Sequence, residues 1–87
     1  MPVAHTSLDA FIELEPMYLG RKQKAVLGFI RRYGPINNRE LSVVTGWPIN
    51  TITPRVQELR RMGFVFCHHE EIDPVTNRIT LMWMAKM

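Results

Sequence analysis

The sequence predicts a mainly α-helical chain closed by a small β-hairpin, an α+β arrangement with a three-helix core followed by two or three short strands. Three observations carry this. Apolar residues recur at helical spacing in three stretches between Gly20 and Gly63. Those stretches are separated by Gly34-Pro35 and by Gly46-Trp47-Pro48, pairs that end helices. Beyond Gly63 the pattern changes to two runs of aromatic and β-branched residues on either side of Asp73-Pro74-Val75-Thr76-Asn77, which is turn chemistry.

The first helix follows Gly20, where Val26, Leu27, Ile30 and Tyr33 share one face and Gly34 is expected to close it in the left-handed C-cap conformation. Asn37 then caps a second, short helix, with Glu40 three residues on completing a capping box and Leu41 and Val44 forming its buried stripe. The third helix is capped by Asn50, Thr51 or Thr53, holds Pro54 in its first turn, and turns Ile52, Val56 and Leu59 inward before Arg60-Arg61-Met62-Gly63 ends it. Phe64 to Glu70 and Arg78 to Met84 form the hairpin, and two or three residues around Pro35 to Asn37 can pair as a third strand. Ahead of all this, Leu8, Phe11, Ile12 and Leu14 after Ser7 have a rough helical spacing that Pro16 interrupts. The expected division is an arm over residues 1–19 and a single domain over 20–87.

With 87 residues, 46% of them hydrophobic and 22% charged, the chain has the balance of one folded domain. Cys67 is its one cysteine, so an internal disulfide is excluded, and without a C-x-x-C spacing no structural zinc site is expected. A reducing, cytoplasmic setting fits. The opening residues lack a basic stretch followed by an apolar run, and no segment reaches the roughly 20 apolar residues of a membrane span. The formal charge of +3 permits attraction to a polyanion.

A short helix, a glycine-containing turn and a second helix with polar residues at its start make a helix-turn-helix, and the hairpin after it is a wing. The stretches Leu19 to Gln23, Gly34 to Leu41, Gly46 to Val65, and Thr76-Asn77-Arg78 with Trp83 resemble the small, often phage-encoded winged helix-turn-helix proteins related to MarR-type regulators. The resemblance implies double-stranded DNA binding by a phage or bacterial regulator, with Ile49 to Arg61 as the recognition helix. It also places Thr76-Asn77-Arg78 at the wing tip, where Asn77 replaces a common glycine and tolerates the positive φ that the turn requires.

With the apolar side of the third helix inward, Asn50, Pro54, Gln57 and Arg61 face outward, flanked by Thr51, Thr53, Arg55 and Glu58. Asn50, Thr51, Thr53, Arg55 and Gln57 are therefore the candidates for DNA contact, because the first turns of such a helix reach base edges. Arg55 and Gln57 are the expected readers of sequence. The alternative for Arg55 is an ion pair with Glu58, and for Asn50 and Thr51 a capping role. Arg61, Asn38 and Arg39 are expected at phosphates, the last two at a helix N-terminus, and Arg78 on the wing reaches the backbone or minor groove.

Cys67-His68-His69-Glu70-Glu71 contains metal-ligand types, yet strand alternation puts Cys67 and His69 on one face and His68 and Glu70 on the other. Neither a metal site, a cofactor nor a catalytic group is expected, and no small-molecule substrate is evident. A homodimer suits a palindromic target. Two rival readings are a winged-helix protein-interaction module in a replication or packaging assembly, and an architectural or recombination-directing DNA binder. A Z-DNA reader would carry a recognition-helix tyrosine, which Asn50 to Met62 lacks.

Overall fold

A computed structural model describes residues 19–86; the arm up to residue 18, with the helix expected after Ser7, lies outside the described residues. Helix α1 (Arg21–Tyr33) begins where the Gly20 N–H donates to the Gln23 side chain at 2.8 Å. It buries Ala25, Val26, Leu27 and Ile30. Tyr33, expected inside, is 50% exposed and stacks on Phe29 instead, because it is the last residue of the helix and lies beside the exposed Val43 and Val44 of the next one rather than over the core.

Gly34 ends α1, but not in the left-handed conformation expected of it. Its φ of −64° and ψ of 151° are extended, and glycine is needed there for a different reason. A Cβ at this position would lie 2.6 Å from the Ile30 carbonyl oxygen and 2.9 Å from that of Trp83, both backbone atoms that cannot swing away. Gly34→Ala is expected to destabilise the domain by about 1–3 kcal/mol, as overpacking does; a urea titration unchanged from wild type would contradict this close approach.

Helix α2 (Asn38–Thr45) opens with the expected reciprocal box. Asn37 Oδ1 accepts from the Glu40 N–H at 2.7 Å and Glu40 Oε1 accepts from the Asn37 N–H at 3.1 Å. Among the residues of this short helix Leu41 is the buried one; Val44, expected beside it, is 42% exposed because eight residues offer the core a single turn of contact. Gly46 takes φ 75° and turns the chain sharply, and Ser42 Oγ donates to the Trp47 carbonyl at 2.6 Å to hold the turn closed.

Helix α3 (Ile49–Arg61) has the span that the resemblance implied, but it starts ahead of the caps expected from the residues. Pro48 is its cap residue, with φ −65°, and the Pro48 carbonyl accepts from the N–H groups of Thr51 and Ile52. Asn50, Thr51 and Thr53 are therefore helical residues rather than caps, and Pro54 sits sixth in the helix, past its first turn. The proline is tolerated because it is on the exposed face, where the carbonyl that loses its donor still meets water.

Strands β1 (Val65–Asp73) and β2 (Arg78–Ala85) pair antiparallel from Val65 opposite Ala85 to Asp73 opposite Arg78. Asn77 closes the tip with φ 59°, the conformation expected of it. The third strand is reduced to one bridge, Ile36 with Trp83, made by N–H to carbonyl bonds of 3.1 and 2.8 Å. A bulge between Cys67 and His69 breaks the expected alternation. Cys67 lies opposite Trp83 and His69 opposite Met82, neighbours on opposite faces of β2, so Cys67 and His69 separate. The extra residue, His68, brings its Nδ1 to 2.7 Å from that of His69.

One core joins these elements: Leu19, Val26, Leu27, Ile30, Ile36, Leu41, Ile52, Val56, Leu59, Val65 and Trp83 are all buried together. The three-helix core and two-stranded hairpin are the architecture of a winged helix-turn-helix. Trp83, from β2, is its largest fully buried side chain, which places the hairpin against the helices rather than beside them.

Candidate nucleic-acid interface

Three pieces of chain converge on one side of the domain: the start of α2, the outward face of α3, and the inner strand of the wing. The α2 start is set by its capping box, which leaves Asn38 and Arg39 at its first two positions. Asn38 Oδ1 accepts from Trp83 Nε1 at 3.0 Å, and Asn38 Nδ2 donates to Thr53 Oγ1 at 3.4 Å. Asn38 is thus a strut among wing, α2 and α3. With Arg39, Gln57, Thr80, Leu81 and Trp83 it lines a cleft of about 190 Å³.

Arg39 Nε donates to Asp73 Oδ2, an ion pair in which the carboxylate is fully buried and the arginine side chain is 33% exposed. The Asp73 carboxylate also takes the Val75 N–H at 2.8 Å and faces Asn37 Nδ2 at 3.5 Å. Arg39 therefore ties the base of the wing tip to α2. The arginine, and then the Val75 amide, hold the Asp73 carboxyl below its ordinary value of 3.8.

A depressed folded value contributes stability that is full above the ordinary value and is lost as pH falls through the folded one. Wild-type stability is therefore expected to fall more steeply below about pH 4 than that of Asp73→Asn, which cannot titrate there. Chemical denaturation at a series of pH values checks this, and parallel curves for the two proteins would refute it.

On α3 the inward residues Ile52, Val56 and Leu59 are fully buried. Asn50, Thr53, Pro54 and Arg61 are exposed, and Thr51 and Gln57 are half-buried. Arg55 is engaged elsewhere. Its Nε and Nη2 donate to the two Glu58 oxygens at 2.7 and 2.9 Å, the ion pair that was the alternative to base contact. Glu58 also accepts from Gln23 Nε2 of α1 at 2.8 Å, and these two partners, Arg55 first, lower its pKa.

Arg60, expected only at the close of α3, joins this face as well. It is exposed, three residues past Gln57 on the same side of α3, and its guanidinium carbon stands 5.4 Å from the centre of the Trp83 ring. The i to i+3 spacing from Gln57 was the signal; where the wing would lie was not. Arg78 is exposed at the wing tip. Three acidic residues, Asp9, Glu13 and Glu15, precede residue 19, whereas all eleven Lys and Arg follow it. The described residues thus hold eleven cations against five carboxylates, a formal +6.

Among the described residues no group of three or more His, Cys, Asp or Glu is placed to hold a metal ion. No helix among them is long and apolar enough to cross a membrane.

A helix-turn-helix with its second helix outward and a hairpin beside it is the arrangement of a winged helix DNA-binding domain. Residues 19–65, more than half of the chain, match the winged helix-turn-helix DNA-binding family, and the chain belongs to that family. No curated protein matches it.

Proposed function

We propose that the chain binds double-stranded DNA sequence-specifically and regulates transcription in a phage or bacterium, with α3 in the major groove. The observation that carries this is the outward face of α3: Asn50, Thr53, Pro54 and Arg61 stand exposed opposite a fully buried apolar stripe, on a domain of formal charge +6. Asn50, Thr51, Thr53 and Gln57 are the proposed groove contacts. Arg39, Arg60 and Arg61 meet phosphates, Arg78 carries the wing to the backbone or minor groove, and Asn38 steadies both elements. Arg55, gripped by Glu58, fixes α3 to its surroundings. Two copies on a palindromic site would double these contacts.

A titration of duplex DNA at rising salt tests the proposal, since binding through several phosphates weakens steeply as counterions compete. One observation favours a protein partner instead. Ile72 and Ile79, opposite one another near the wing tip, are 64% and 68% exposed, and Val75 is 71% exposed. Affinity for a protein through that apolar tip would be insensitive to salt.

A further inference from the structure

We infer that the reading edge of α3 selects A·T base pairs, through adenine edges and thymine methyl groups, and does not read guanine. The inference rests on the major-groove placement proposed above and deepens it by naming what the helix reads.

Guanine is most often read in the major groove by the fork of an arginine or by a lysine, which donate to its O6 and N7. Helix α3 has three arginines and no lysine, and the structure accounts for each arginine. Arg55 lies within the stretch that enters a groove, but both arms of its fork are taken by the Glu58 carboxylate, at 2.7 and 2.9 Å. Glu58 is held in turn by Gln23 on α1 at 2.8 Å, so the pair is braced on the α1 side of the helix, away from the outward stripe. Arg60 turns the other way, over the Trp83 ring. Arg61 is the last helical residue, about 10 Å beyond Pro54 along the axis at 1.5 Å per residue, where a recognition helix has left the base edges for the backbone.

The groups left at the groove are of another kind. Asn50 and Gln57 carry carboxamides, whose paired acceptor and donor match N6 and N7 of adenine. Between them Pro54 presents an exposed ring with no polar atom, and the exposed Thr53 and the half-exposed Ile49 lie on the flank of the helix. Apolar groups in the major groove find their complement in the C5 methyl of thymine, which no other DNA base carries. Adenine and thymine are partners, so the two kinds of contact reinforce one choice of base pair.

The experiment uses the full chain. Duplexes selected from a random pool are sequenced, and the selected site is then remade with deoxyuridine for thymidine, which removes the methyl and leaves the pairing intact. The expected result is an A·T core, a loss of about fourfold in affinity for each contacted methyl, and for Pro54→Ser a loss about fourfold smaller than that of the wild type on the same exchange, because the ring no longer meets its methyl. That variant restores a helical N–H and so tests the ring without endangering the fold. Gln57→Ala is expected to cut the preference for adenine about tenfold. A core of guanines whose selection is lost in Arg55→Ala, or a deoxyuridine duplex bound as tightly as its parent, overturns the inference while leaving DNA binding standing. No retention of any duplex at low salt overturns the DNA reading and this inference together.

Discussion

Trp83→Ala is expected to cost about 3–5 kcal/mol of unfolding free energy, the range for truncating a large buried aromatic side chain. Trp83 is 1% exposed and carries more than its volume. Its backbone makes both bonds of the Ile36 bridge, its Nε1 donates to Asn38, and Arg60 lies over its ring. Removing the ring opens a cavity where the wing meets the helices, and it also frees Asn38, which no longer fixes the start of α2 relative to β2.

Domains of this size have a total stability of about 5–15 kcal/mol, so the variant would lose a large share of it. At about 4–8 °C per kcal/mol the melting temperature should fall by more than about 10 °C. Trp83→Phe separates the two contributions: it keeps most of the apolar volume and deletes the Nε1 donor, for an expected cost of about 1–3 kcal/mol. Thermal and urea denaturation followed by circular dichroism measure both. A loss below about 1 kcal/mol for the alanine variant would mean that the hairpin is not part of the core.

The second large effect is on binding. If Arg39, Arg60, Arg61 and Arg78 each neutralise a phosphate, log affinity should fall with log salt at a slope of about −3.6, and raising salt from about 50 to 200 mM should weaken binding about 150-fold. Arg61→Ala combined with Arg78→Ala should halve the slope to about −1.8, leaving about a 12-fold loss over the same range. These two arginines are the informative choice because both are exposed at the ends of their elements, whereas Arg39 holds the buried Asp73 and its removal would disturb the wing itself. Fluorescence anisotropy with labelled duplex reads the slope directly. A slope near zero in the wild type would favour the apolar wing tip and a protein partner.

The two experiments bear on one another through Asn38. A domain whose wing is loosened by Trp83→Phe should keep the salt slope set by its arginines and lose discrimination among sequences, because phosphate contacts position a protein while base contacts specify its site.

What could be read from the sequence was set within a few residues of itself. The Asn37–Glu40 box, the positive φ of Asn77 and the inward set Ile52, Val56 and Leu59 follow from side chains acting on their own turn of backbone, so spacing alone reveals them. The order of elements followed too, and with it the winged helix-turn-helix class, though not the narrower relation to MarR-type regulators. The tertiary structure decided what those elements do to one another. Arg39 meets Asp73 and Gln23 meets Glu58 across more than thirty residues, and Trp83 meets Asn38 across 45. Such pairs depend on how helices and hairpin pack, which local propensity does not encode.

The same reason explains the misplaced expectations. Gly34 is glycine because two carbonyls crowd it, one of them from β2, and not because of its own φ. The bulge at His68 puts Cys67 opposite Trp83 and His69 opposite Met82, so the simple alternation read from the sequence fails there. Whether Arg55 faces a base or a carboxylate was likewise left open by its position on the helix wheel; the Gln23 side chain, delivered by α1, braces the carboxylate that holds it.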